Sequence, residues 1–278
     1  MLGLHVSISG SIDLAFDRAA EVGATTFQIF TRNPNQWKFK PIPKEVAGTF
    51  REKRKAGGFR KIVDHMPYLP NLSSSERGIM RLSRQTLDEE VKRCDELGIE
   101  YLVTHLGSHL GGGTMLGVRN LSEAINEALA GSDGDTMILL ENMAGQKNSV
   151  GSRFEDLRLI IDRVKRSERV GVCLDSCHAF AAGFDLTGPE QVKRTMELFD
   201  ETVGEERLKV LHLNDSKGSL GSGLDRHENI GEGKIGKKGM RALVGHDYIS
   251  KKVLIMETPY EDVKDMKLSM KSARSLFK

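Results

Sequence analysis

The chain has 278 residues, 38% of them hydrophobic, and its 41 basic and 39 acidic side chains leave a net charge of +2. That balance excludes a global basic field, so a polyanionic partner would have to be gripped locally. The three cysteines are odd in number and lack paired zinc-finger spacing, which suits a reducing cytoplasm rather than a disulfide scaffold. No charged leader opens the chain and no apolar run approaches the roughly 18 residues of a membrane span, so the expectation is a cytoplasmic protein with no membrane partner.

Short apolar or β-branched runs follow in chain order near Leu2–Val6, Thr26–Phe30, Lys61–Asp64, Tyr101–Thr104, Met137–Leu140, Val170–Leu174, Leu208–Leu211 and Val253–Met256, and each reads as a buried strand. Stretches of helical period lie between them. Ile12, Ala15, Phe16, Ala19 and Ala20 lead to Gly23, and Ile79, Leu82, Leu87, Val91, Cys94 and Leu97 lead to Gly98. A capping box of Ser73 and Glu76 is expected to open the second helix. The glycine-rich segment from Ser216 to Gly239 reads as a long loop. Strands alternating with helices, with no break in composition, predict an α/β fold, one (β/α)8 TIM barrel over residues 1–278. An open, doubly wound sheet is the alternative.

The ends of these runs carry the chemistry. His65, His105, Glu141, Asp175, His212 and Glu257 stand at or just beyond the carboxyl ends of their strands, the rim where barrel enzymes assemble active sites. His178 lies three residues after Asp175, at a strand-to-helix junction that turns both side chains to one side. Asp225 and His227 are two apart, so an extended segment points them the same way. A single His or Asp in such a place is more often a core or capping residue. Nine together exceed any one ion, because catalytic zinc usually takes about three protein ligands plus a water, and a cluster of two or three ions is implied. The competing role for Glu141 and Glu257 is a buried ion pair with Arg or Lys.

Other residues read less sharply. His5 is either an orienting partner of a ligand or a satisfied rim histidine. His109 is spare, because Gly107 and Gly111–Gly113 make its surroundings a turn, and Cys173 and Cys177 are core. Residues 231–238 nearly match a phosphate-binding loop but lack its Ser or Thr and its leading strand, which excludes a nucleotide cofactor. The same glycines and lysines could approach a phosphodiester backbone, or form a merely mobile loop. Trp37, with Arg32, Asn33, Asn35 and Gln36, lies in a polar loop and is expected to pack on that loop.

The strings Gly171-Val172-Cys173-Leu174-Asp175-Ser176-Cys177-His178 and Leu211-His212-Leu213-Asn214-Asp215-Ser216-Lys217, with Asp225-Arg226-His227 downstream, resemble the signatures of the endonuclease IV family of apurinic/apyrimidinic endonucleases. Further matches run from His5-Val6-Ser7 through Phe30-Thr31-Arg32-Asn33, His65 to Leu72 and Leu140-Glu141-Asn142 to Met256-Glu257-Thr258-Pro259, so the resemblance covers nearly the whole chain. It implies a barrel with three Zn2+ ions. His65, His105 and Glu141 would hold one; Glu141, the catalytic bridge, would share a second with Asp175, His212 and Glu257; His178, Asp225 and His227 would hold the third. It also implies a monomer whose partner is duplex DNA containing abasic sites, bent and with the lesion flipped out, cut at the 5′ phosphodiester to leave a 3′-hydroxyl. Gln36, Tyr68 and Leu69 match positions that enter the DNA stack. Asn35 departs from the family's usual inserting arginine, and Leu106 from its usual proline.

Phosphodiester cleavage suits such a centre, because two cations about 3.5–4 Å apart activate a shared water and neutralise charge on attacking and departing oxygens. Arg226 and Lys217 are expected to contact phosphate. Selectivity for abasic sites follows from avoiding the few kcal/mol, roughly, of unstacking a base. Sugar isomerases and epimerases use similar barrels with two divalent ions and form the competing class. A third ion set and the loop wedges separate the two readings.

Overall fold

The computed structural model describes residues 1–277. Strands β1 (Leu2–Leu4), β2 (Phe27–Ile29), β3 (Ile62–His65), β4 (Tyr101–His105), β5 (Met137–Glu141), β6 (Val170–Asp175) and β7 (Leu208–His212) join β10 (Val253–Met256) in one parallel sheet, while β8 (Asp215–Ser216) and β9 (His227–Glu228) form a small antiparallel pair. The helices are α1 (Leu14–Glu21), α2 (Lys44–Gly57), α3 (Arg77–Leu97), α4 (Thr114–Ala130), α5 (Phe154–Ile161), α6 (Ser176–Ala182), α7 (Pro189–Thr202), α8 (Gly236–Gly245), α9 (Asp247–Ser250) and α10 (Val263–Ser275).

The sheet has 8 strands, and its two end strands, β1 and β2, meet. A parallel bridge joins His5 to Gln28, and the Val6 amide donates to the Gln28 carbonyl at 2.8 Å. The expected barrel therefore closes, and the open sheet is set aside. Closure depends on a close backbone approach at Gly3, where a β-carbon would overlap the carbonyl oxygen of Thr26.

Alternation along each strand divides the core in two. A large outer cluster fills the space between sheet and helices, with Phe16, Phe27, Phe50, Leu87, Leu121, Phe154 and Phe199 among its buried side chains. Inside the barrel, Val63, Val103, Leu139, Cys173, Val210, Val253 and Ile255 form a separate apolar plug. Two residues on from Val63, Val103, Leu139, Cys173, Val210 and Ile255 stand His65, His105, Glu141, Asp175, His212 and Glu257. The period of two therefore aims all six into the barrel, one layer above the plug.

Two local expectations need correction. Ser73 caps nothing: it is buried and donates to the Leu106 carbonyl at 2.6 Å, while Glu76, the residue before α3, makes no side-chain cap. The segment 216–239 is not all loop, because β8 and β9 pair within it and α8 begins at Gly236. The Gly98 helix stop holds, with φ of 72° at the end of α3.

Gly3→Ala is expected to cost about 1–3 kcal/mol through overpacking at the barrel seam. Thermal unfolding measures it, and an unchanged melting temperature would contradict the close approach.

Candidate metal centre

Each strand of the 8-stranded sheet delivers one polar side chain to the same end of the barrel. They are His5, Gln28, His65, His105, Glu141, Asp175, His212 and Glu257. In the sheet register His105 lies opposite Glu141, and Asp175 opposite His212. His178 joins them from the first turn of α6, where Asp175 caps the helix by accepting the His178 amide at 2.7 Å. Asp225 and His227 arrive from the β8–β9 excursion.

Potential donor atoms converge in three principal sets: His65, His105 and Glu141; Glu141, Asp175, His212 and Glu257; and His178, Asp225 and His227, each with all its atoms within 4.8 Å of one another. Glu141 belongs to two of these sets. A further grouping, Asp175 with Cys177 and His227, overlaps the others.

Charge explains why so many polar groups tolerate burial here. Glu141 and Asp175 are fully buried, and among the described residues their only ion-pair partners are histidines, as is also true of Asp225 and Glu257. The alternative of a buried pair with Arg or Lys is thus excluded among the described residues. Burial pushes the Glu141 carboxyl up, but the His105 and His212 imidazoles outweigh it and hold the group well below its usual range. Burial pulls His178 down, and Asp175, Asp225 and Glu141 outweigh it in turn, raising the imidazole well above its ordinary value. Such a set demands positive charge.

Most of the imidazoles are fixed through one nitrogen with the other turned into the cluster. His65 Nδ1 donates to the Met66 carbonyl at 2.7 Å, His178 Nδ1 to that of Asn142 at 3.0 Å and His227 Nδ1 to that of Glu257 at 3.2 Å. Their Nε2 atoms are left as lone-pair donors. His65 Nε2 faces Glu141 at 3.1 Å, and His178 Nε2 faces Asp225 at 3.1 Å. His227 Nε2 is buried with no hydrogen-bond partner. An orphaned buried nitrogen among carboxylates is what a metal ligand looks like without its ion, and the donor set of imidazoles and carboxylates fits a divalent cation.

Gln28 is the residue that sequence reasoning missed. Its Nε2 donates to Glu257 Oε1 at 2.6 Å and faces His5 Nδ1 at 3.2 Å, while its Oε1 accepts from His212 Nε2 at 2.8 Å. This turns His212 Nδ1 toward Glu141 and Glu257, each at 3.1 Å. Its one signal was an amide between Phe27 and Ile29. His5, pulled down to about 4 chiefly by burial, is a neutral orienting partner. Asn142 and Asn214 act similarly. Asn142 Oδ1 accepts the Asp175 amide at 2.6 Å, and Asn214 Nδ2 donates to Asp175 Oδ2 at 2.6 Å.

The remaining candidates surround this centre. Tyr68 and Leu69 are 59% and 38% exposed at the rim. Tyr68 meets Phe30 edge-on at 5.0 Å, and Phe30 meets His65 at 5.6 Å, so the exposed aromatic is tied to the centre. Gln36, Lys217 and Arg226 are exposed, and the Lys217 amide donates to the Arg226 carbonyl at 2.9 Å. The loop carrying Gln36 is anchored by Arg32, whose Nε lies 2.7 Å from buried Glu90 and which donates to the Trp37 carbonyl at 3.3 Å. His109 serves its turn, its Nδ1 accepting from Gly111 and Gly113. Cys173 lies in the plug and Cys177 is buried. The near-match to a phosphate-binding loop, set aside from the sequence, has another use: the amides of Gly231, Gly233, Ile235 and Gly236 donate to Asp215.

Gln28→Leu should weaken metal binding at the set containing His212 and Glu257 by about 10–100-fold. Competition with a chromogenic chelator reads this directly, and unaltered affinity would remove Gln28 from its role.

The sequence places the protein among relatives. A family model described as xylose isomerase-like TIM barrel matches residues 16–278. A protein of Methanoculleus marisnigri named probable endonuclease 4 is 49% identical over 263 residues, covering 94% of this chain and 93% of its own. The crystal structure of endonuclease IV from Thermus thermophilus superposes with a TM-score of 0.90 at 33% identity, covering 99% of this chain and 98% of that one. A D-tagatose 3-epimerase-like protein, at 21% identity with a TM-score of 0.70 and coverage of 99% and 97%, shares the fold alone. With close sequence relatives over almost its full length, the chain belongs to the endonuclease IV family.

Proposed function

We propose that this protein is a zinc-dependent DNA-repair endonuclease that hydrolyses the phosphodiester 5′ to abasic sites in duplex DNA, leaving a 3′-hydroxyl and a 5′-deoxyribose phosphate. The observation that carries the reading is the convergence of nine side chains into three donor sets, two of which share Glu141. Three zinc ions would be held by His65, His105 and Glu141; by Glu141, Asp175, His212 and Glu257; and by His178, Asp225 and His227. Bound there, they would supply Lewis acidity, activating water and neutralising charge on the reacting phosphate.

The protein's own residues do the rest. Glu141, with an oxygen for each of two sets, fixes their spacing. Gln28, Asn142 and Asn214 hold the ligands in orientation, so little reorganisation is needed when substrate arrives. Lys217 and Arg226, which follow β8 and precede β9 beside the third set, would meet the DNA backbone and fix its register. Tyr68 and Leu69, with Gln36 from the adjoining loop, would enter the base stack as wedges. An abasic nucleotide flips at the lowest cost, since no base has to be unstacked. Asn35, exposed beside Gln36, adds no positive charge where an inserting arginine would. The reading takes residues 1–278 as one domain acting as a monomer in the cytoplasm.

The competing sugar isomerase or epimerase needs two ions and a closed pocket for a small polyol. It leaves the third donor set and the exposed Tyr68 and Leu69 without a role.

Glu141→Gln should bind a duplex carrying one abasic analogue yet cut it at least 10²-fold more slowly than wild type, by loss of charge stabilisation at the reacting centre. Substantial residual incision in a gel assay would refute the bridging role, and sugar isomerisation by the wild-type protein would favour the other class. The double substitution Tyr68→Ala with Leu69→Ala should weaken binding of that duplex by about tenfold or more while leaving zinc content unchanged, measured by fluorescence anisotropy and elemental analysis. Unaltered affinity would show that these side chains are not wedges.

A further inference from the structure

We infer that Asp215 is a positioning residue that holds the third donor set, His178 with Asp225 and His227, against the other two. The inference rests on the three-ion reading above. Asp215 is fully buried, and among the described residues no cation pairs with it. Its carboxylate is instead ringed by backbone amides. Oδ1 accepts from Ser216 at 2.8 Å and Ile235 at 3.0 Å; Oδ2 accepts from Gly231 and Gly233 at 3.1 Å each; and Gly236 lies 3.3 and 3.2 Å from the two oxygens. Only a backbone that folds around the carboxylate can present so many donors. Gly231 and Gly236 adopt positive φ, and a β-carbon at Gly233 would overlap the Asp215 carboxylate.

What this ring secures is the segment that returns to the barrel mouth. Asp215 pairs with Glu228 and Ser216 with His227 across β8 and β9, the Lys217 amide donates to the Arg226 carbonyl at 2.9 Å, and the Lys234 amide donates to the Ser216 carbonyl at 2.7 Å. Asp225 and His227 therefore lie on a strap pinned on one side by a two-residue ladder and on the other by the Asp215 ring. Two residues of ladder would be a weak hold alone. Asn214, the preceding residue, faces the other way. It donates to Asp175 and, at 3.4 Å, to Glu257, and accepts the Glu257 amide at 2.8 Å. Consecutive residues thus serve different sets, Asn214 the second and Asp215 the third. Two of the three strap-set side chains reach solvent, Asp225 at 36% exposed and His227 at 18%, against one in each of the other sets, His105 at 32% and Glu257 at 19%.

Replacing the carboxylate by an amide removes one acceptor oxygen and turns an N–H group toward backbone N–H donors, which loosens the strap without enlarging the residue. Wild-type holoenzyme, Asp215→Asn and His227→Ala would be equilibrated in zinc-buffered solution and their zinc counted by mass spectrometry, with circular dichroism as the check on folding. The expected result is three ions in the wild type and two in each variant, with zinc affinity at the lost site down at least tenfold, and no further loss in the double variant. If Asp215→Asn does not fold, Gly233→Ala displaces the same ring with Asp215 intact and should lose the same single ion. A folded Asp215→Asn or Gly233→Ala that retains three ions at wild-type affinity overturns the inference, as does one that loses all three. Fewer than three ions in the wild type itself overturns the underlying three-ion reading, and this inference with it.

Discussion

Burying several carboxylates together at the mouth of a barrel is the constraint on which the rest of the structure depends. An ionised carboxylate without a partner is among the costliest groups to desolvate, and its ordinary relief is an Arg or Lys. Here the charged partners among the described residues are imidazoles: Asp175, Asp225 and Glu141 raise His178 against its burial, while His105 and His212 lower Glu141 and His212 lowers Glu257 against theirs. In a protein holding divalent ions, the cations replace the protons in that balance. A centre of this kind needs rigid walls, and the closed parallel sheet supplies them.

The barrel also explains why the proposed ligands come from so far apart. A parallel sheet brings every strand to the mouth at the same end, and a period of two separates the apolar plug from the polar layer above it. Val63 and His65, Val103 and His105, Leu139 and Glu141, Cys173 and Asp175, Val210 and His212, and Ile255 and Glu257 repeat the same step on different strands. The plug excludes water from below, so the electrostatic interactions above it are strong. Each candidate ligand has a hydrogen-bonding partner or a closely spaced neighbour in the set; Gln28 and Asn214 tie members of the second set together, and Asn142 links that set to the third.

Much of this was legible in the residues. Strand positions followed from apolar runs, because a strand buried on both faces leaves little room for polar residues, and the side chains proposed as ligands were visible as the polar residues that end them. Partners that contribute an amide or a backbone group were harder to see. Gln28 reads as one uncharged residue inside a strand, and a carbonyl such as that of Met66 or Asn142 has no sequence identity at all. The Asp215 ring was hidden for a related reason. Glycines 231, 233 and 236 announce unusual backbone, but whether their amides face a ligand or the protein's own carboxylate depends on a residue far back in the chain. Ser73 failed as a cap because tertiary packing buried it against Leu106, a competition that local patterning does not register.

The most direct test of the central claim is anomalous diffraction at the zinc edge from crystals of the undepleted protein. Three peaks are expected, one against each donor set, with Glu141 reaching two of them. A single peak, or peaks away from these side chains, would contradict the proposed trinuclear centre.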